Sequence, residues 1–194
     1  SLNGLLKPKK GDLYIDFEGY PFLTIGRNFE YLYGIWSNDE RNSFTYYWSD
    51  DEEEEKNSFV SFVEKLLEHL ELYPDAKFYH YFSYEISSLR RSAQNFGVYE
   101  KELEQLIEKK CFIDLFTIVN SSLLIGASSY SLKTVEKLAG INRTEDLQSG
   151  MESIQYFEDY FFNEEYELKD LIIEYNKADC RNLYLLHDWL ASLL

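Results

Sequence analysis

The chain has 194 residues, enough for one domain with a sizeable core. Its 17 Tyr, 14 Phe and 3 Trp exclude a disordered chain, and no run reaches the roughly 18 uninterrupted apolar residues of a membrane span. A net charge of −16 weighs against indiscriminate phosphate binding, although a local basic groove counts for more than the total.

Residues 1–10 read as a polar linker on a piece cut from a longer protein, with one domain over 11–194. The first strand is Asp12-Leu13-Tyr14-Ile15-Asp16-Phe17-Glu18, broken by Gly19-Tyr20-Pro21. Strand interiors disfavour acids, yet this one ends in two, and residues two apart share a face. Carboxylates that converge out of water repel unless a proton or a cation lies between them. Mg²⁺ and Mn²⁺ prefer such oxygen donors. On the wet side of an edge strand the same pair would have no role.

Phe29 to Trp36 and Ser43 to Trp48 are aromatic, β-prone runs, and the short polar connections around them predict an antiparallel meander. The acidic run Asp50 to Glu55 faces the positive end of a helix dipole and reads as a solvated cap. Phe59, Phe62, Val63, Leu66, Leu67 and Leu70 then repeat at helical spacing until Tyr73-Pro74-Asp75. A fourth strand covers Ala76 to Tyr81, Ser83 caps a following helix, and another helix covers about Lys101 to Lys110. Cys111-Phe112-Ile113-Asp114-Leu115 is a fifth strand. Cys111 and Cys180 have neither disulfide-framework nor metal-ligand spacing, which predicts a reducing, cytoplasmic setting. Ser129-Tyr130-Ser131 caps the segment Leu132 to Leu138, which Gly140 stops. Tyr156 to Phe162 is helical, as is Glu164 to the end. Asn176 and Asp179 resemble a capping box that would break the last helix.

This order predicts an α/β protein with a ribonuclease H-like mixed sheet of five strands. Three strands run antiparallel, the others are parallel, and helices cover both faces. Sites in open α/β sheets lie at the carboxyl ends of the strands, where Asp16 and Glu18 stand. Three further acids are candidates to join them. Glu85 opens a helix, where the dipole alone would justify it. Asp114 ends the fifth strand, where a capping role would suffice. Tyr175 and Asp179, four apart, share a helix face, although a core Tyr beside a capping Asp is common.

Asp16-x-Glu18, Tyr84-Glu85 and Tyr175-x-x-x-Asp179 resemble the three motifs of the DEDDy 3′–5′ exonuclease superfamily. With Gly19, His80-Tyr81, Ser129-Tyr130-Ser131-Leu132-Lys133-x-x-Glu136 and Asn176, they look like the YprB-type ribonuclease H-like nucleases, which are often joined to a RecB-family nuclease domain. Glu85 departs from the Asp usual in the wider superfamily. The resemblance implies a metal-dependent exonuclease on single-stranded DNA or RNA with two Mg²⁺ or Mn²⁺ ions. It implies that Asp16 bridges both ions, Glu18 and Asp179 complete one site, Glu85 serves the other and Tyr175 orients the attacking water. His80 and Lys133 are candidate phosphate or sugar contacts, as are Arg90 and Arg91, with structural or solvated roles as the plainer reading. An N-terminal RecB-like domain is the expected neighbour, and no membrane is involved. An inactive nuclease-like binding module and a small phosphoester hydrolase are the competing readings.

Overall fold

The computed structural model describes residues 5, 7–24, 26–39, 43–123, 129–143 and 150–193. Most of the predicted start of the linker (1–4 and 6) and turn residues 40–42 therefore lie outside the described residues. In chain order the elements are β1 (Leu13–Thr24), β2 (Arg27–Ser37), β3 (Phe44–Trp48), α1 (Glu52–Leu72), β4 (Phe78–His80) and α2 (Tyr84–Phe96). They continue with α3 (Glu100–Glu108), β5 (Phe112–Asp114), α4 (Leu115–Ser122), α5 (Leu132–Leu138), α6 (Gly150–Asn163) and α7 (Leu168–Ser192).

The strands lie in the order β3-β2-β1-β4-β5. β1, β2 and β3 pair antiparallel, while β1, β4 and β5 are parallel. This is the expected mixed α/β sheet. Alternation along β1 builds its two faces. Leu13, Ile15 and Phe17 pack on Phe59, Phe62, Val63 and Leu66 of α1 and on Leu89 of α2. Tyr14 turns the other way, against Leu183, Leu186 and Leu190 of α7. Each such fully buried side chain contributes about 1.5–3 kcal/mol. Asp16 follows Tyr14 on the α7 face, so a carboxylate continues an apolar row. A third cluster joins Tyr31 of β2 to Phe157 of α6, their rings stacked at 3.9 Å.

Three expectations are corrected. β1 does not stop at Gly19; it runs on to Thr24, with register shifts after Glu18 and between Tyr20 and Thr24. Pro21 is tolerated because the far half of β1 pairs only with β2, and the irregular ladder does not need its missing N–H. Nor does the last helix break at Asn176, since α7 is continuous over 25 residues and spends that amide on β1. The acidic run is only partly solvated. Asp51 accepts from Glu54 N at 2.8 Å as a cap should, but Glu55 is buried and accepts from Arg27 Nη1 at 2.6 Å and Glu30 N at 2.9 Å. Ser131 and Asp114 cap α5 and α4 with their side chains. Among the described residues, no helix is long and apolar enough to cross a membrane.

Candidate metal centre

The parallel register sets Phe78 beside Leu13 and His80 beside Asp114, so β1, β4 and β5 present their carboxyl ends on one side. There Asp16, Glu18 and Asp179 each offer a carboxylate oxygen, all within 4.8 Å of one another. Glu18 and Asp179 are buried and Asp16 is half-buried. Two of the three come from one strand face. The third arrives because α7 is pinned to that strand. Asn176, wholly buried, donates through Nδ2 to Asp16 O at 3.1 Å and to Asp16 Oδ2 at 2.9 Å. The helix comes this close because Gly34, opposite Asp16 on β2, has no side chain; a Cβ there would overlap Asn176 Oδ1. Asp179 lies one helical turn beyond Asn176, so seating the asparagine aims the carboxylate.

The third wall is α6. Ser153 Oγ donates to Glu18 Oε2 at 2.8 Å, which spends its only hydrogen. Tyr31, 2.8 Å from the same Oγ, must therefore be the donor to it. This short relay orients Glu18 from the core.

Crowding shows in the protonation of the acids. Burial, and then the neighbouring Asp179, push Glu18 up to about 8. Burial drives Asp16 well above the usual range, with Asp179, Glu18 and Glu85 adding to it and Arg143 opposing. Asp179 is also raised by burial, against the pull of Arg143. That arginine has one bidentate partner, Glu136 (Nε–Oε2 2.7 Å, Nη2–Oε1 2.6 Å), and is also paired with Asp179. Its side chain is 8 % exposed. Burial raises the Tyr175 phenol, as do the three carboxylates, so it stays protonated. Lys133 Nζ stands 4.8 Å from the Tyr175 ring centroid and Arg143 Cζ 5.8 Å, which sets two cations against that ring.

The remaining predicted residues fall around this trio. Glu85 is 3 % exposed in the first turn of α2 and lies outside the trio. Its charge is nevertheless felt at Asp16. Glu30 of β2, pushed up to about 7 by burial, accepts the Tyr84 hydroxyl at 2.8 Å and so anchors the start of α2. His80 is buried behind Glu85. Its Nδ1 donates to Phe82 O at 2.6 Å and stands 3.4 Å from Glu85 Oε2, which makes it a support for the β4–α2 turn. Asp114 caps α4 and also accepts from Phe82 N at 3.0 Å. Arg90 and Arg91 are paired with Glu104 and Glu30. Arg143, Ser153 and Gly34 had no signal in the sequence: one basic residue, one small hydroxyl and one strand glycine make no pattern. Asn176 had a signal, but as a capping residue.

The donors fit a hard divalent cation. They are all carboxylate oxygens, they are drawn out of water, and Arg143 is the cation paired with one of them. Glu85 Oε2 is buried without a hydrogen-bond partner among the described residues. The raised acids also set the sign of a pH effect. A carboxyl whose folded value exceeds its unfolded one contributes stability below the unfolded value and loses it as pH rises through the folded one. For Glu18 that window runs from about 4.5 to about 8. The metal-free protein is therefore expected to lose at most roughly 5 kcal/mol, or about 10–20 °C in melting temperature, across the window. Glu18→Gln flattens the slope, and Mn²⁺ restores stability more at about pH 8 than at about pH 6. Differential scanning fluorimetry reads all three; identical slopes in the two proteins would reject this electrostatic account.

A family model described as the RNase_H superfamily matches residues 13–191. No curated protein and no solved structure matches the chain.

Proposed function

The chain belongs to the RNase_H superfamily, and on that footing we propose that it is a metal-dependent 3′–5′ exonuclease of DEDDy type acting on single-stranded DNA or RNA. The observation that carries this reading is the convergence of Asp16, Glu18 and Asp179 from β1 and α7. Two Mg²⁺ or Mn²⁺ ions held there would stabilise the charge that grows on the attacking and leaving oxygens of a phosphodiester. Asp16, Glu18 and Asp179 would hold the metal, with Asp16 at the point where the other two converge, and Glu85 at the start of α2 would assist through water. Tyr175, kept protonated, donates a hydrogen bond that orients the attacking water. Lys133, beside that ring, is the phosphate contact. His80 acts through Glu85 and the turn it braces. The cysteine usage points to a cytoplasmic setting, and the sequence resemblance to a RecB-like nuclease domain as a neighbour.

Digestion of 5′-labelled oligonucleotides with Mg²⁺ or Mn²⁺ tests the proposal. The wild type should shorten the strand stepwise from its 3′ end, and Asp179→Asn should slow this by about 10²-fold or more. Equal rates for the two proteins would reject it. A second reading, an inactive nuclease-like module, is favoured by Arg143 on Asp179 and by Glu85 outside the trio. In that case calorimetry would find weak Mn²⁺ binding that Asp16→Asn leaves unchanged.

A further inference from the structure

In the reading above, the substrate's phosphate is met by Lys133 and by the cations that the carboxylates would hold, but nothing receives a base. We propose that Phe82, packed against Phe116, is the platform for an unpaired nucleobase of the strand whose phosphate lies at the Asp16, Glu18 and Asp179 site; the inference rests on the nuclease reading. Phe82 sits at the carboxyl end of β4, two residues past the His80 that pairs beside Asp114 and three before Glu85. Its backbone is left-handed, with φ 71°, a conformation a bulky residue adopts only at a cost. Burial does not repay that cost, because the ring is 43 % exposed. The turn is nevertheless held from both sides. His80 donates to the Phe82 carbonyl at 2.6 Å, and the Phe82 N–H donates to Asp114 at 3.0 Å.

The ring these bonds present is backed by others. Phe116 lies 4.0 Å away between centroids at 30°, and Tyr81 meets its edge at 5.1 Å and 90°. Tyr81 is itself tied down, its hydroxyl donating to Tyr130 O at 2.6 Å. A fixed aromatic ring at the carboxyl end of β4, the end of the sheet that also carries the carboxylates, suits a flat π-system. Stacking tolerates any base and needs no cation, which fits a chain with a net charge of −16.

The test is equilibrium binding, read by fluorescence anisotropy with Ca²⁺ in place of Mg²⁺. The probes are a labelled oligothymidylate and an abasic chain with the same number of phosphates. Phe82→Ala should weaken binding of the oligothymidylate by about 5- to 100-fold while changing the abasic chain less than about twofold. Phe82→Tyr, which keeps a ring in the same place, should restore the preference and shows that folding is intact. An equal loss on both probes, or no loss on either, overturns the inference while oligonucleotide binding by the wild type leaves the nuclease reading standing. Wild-type protein that binds neither probe overturns both.

Discussion

Asp16→Asn is expected to cut phosphodiester hydrolysis by about 10³-fold or more and yet to raise the melting temperature of the metal-free protein at about pH 8. The two effects share one cause. Asp16 stands where Glu18 and Asp179 converge, and each of the three is raised first by burial, with the neighbouring carboxylates adding to it at Asp16 and Glu18. Removing one charge removes two repulsions, worth roughly 1–3 kcal/mol in metal-free protein, or about 2–10 °C for a domain of this size. Little is lost in return. An asparagine here keeps an oxygen to accept from Asn176, and its amide hydrogens face two carboxylates that accept them. The stabilisation should vanish, and reverse, once Mn²⁺ is added, because only the wild type gains from binding it. Thermal melts with and without Mn²⁺ decide the matter. A variant less stable than wild type in chelator would mean that the carboxylates do not repel, and the electrostatic description of the site would fall. The opposition is the ordinary cost of function: groups gathered for a ligand strain the fold that lacks it.

Gly34→Ala is expected to disable the protein without touching any carboxylate. The added methyl would meet Asn176 Oδ1 and, at 3.0 Å, Cys180 Sγ, both on α7. Neither can turn aside, since Asn176 is wholly buried and held by its two bonds to Asp16, and Cys180 is buried in the core beneath the helix. Either β2 or α7 must give way. Overpacking of this kind costs about 2–3 kcal/mol, or roughly 5–10 °C here. Backing α7 off the sheet also carries Asp179 and Tyr175 away from Asp16, and a displacement near 1 Å costs about 10²-fold in rate. Calorimetric Mn²⁺ affinity and activity should fall together. Asn176→Ala in the same chain frees the space, so the double variant should recover part of the lost stability, a non-additivity of about 1 kcal/mol or more. Wild-type melting of Gly34→Ala would show that the helix does not press on the strand at this point.

Much of the architecture was legible before any coordinates. The alternation of Leu13, Ile15 and Phe17 against Tyr14 and Asp16, the helical repeat of Phe59, Phe62, Val63 and Leu66, and the caps at Asp51, Ser131 and Asp114 are local patterns. Each is written within a few residues, because backbone period and orphan end groups act over that range. The acids at 16 and 18 were visible for a similar reason, since charge at the end of an apolar strand is conspicuous, whereas Asp179 showed only through its four-residue spacing from Tyr175 and the motif that pair resembles. The strand's passage through Pro21 and the unbroken α7 were not visible, because sheet pairing and a distant carboxylate overrode the local signals of a turn and a cap. Nor was the assembly of the site. Asn176 meets Asp16 across 160 residues, Ser153 meets Glu18 across 135, and Arg143 enters from a loop with no repeat to announce it. What the sequence determined alone was the kind of elements and the presence of acids to be satisfied. Only the tertiary structure decided that Gly34 lets one helix close on one strand and that Glu85 stays apart from the trio, because contacts between distant residues depend on how whole elements pack and leave no period in the chain.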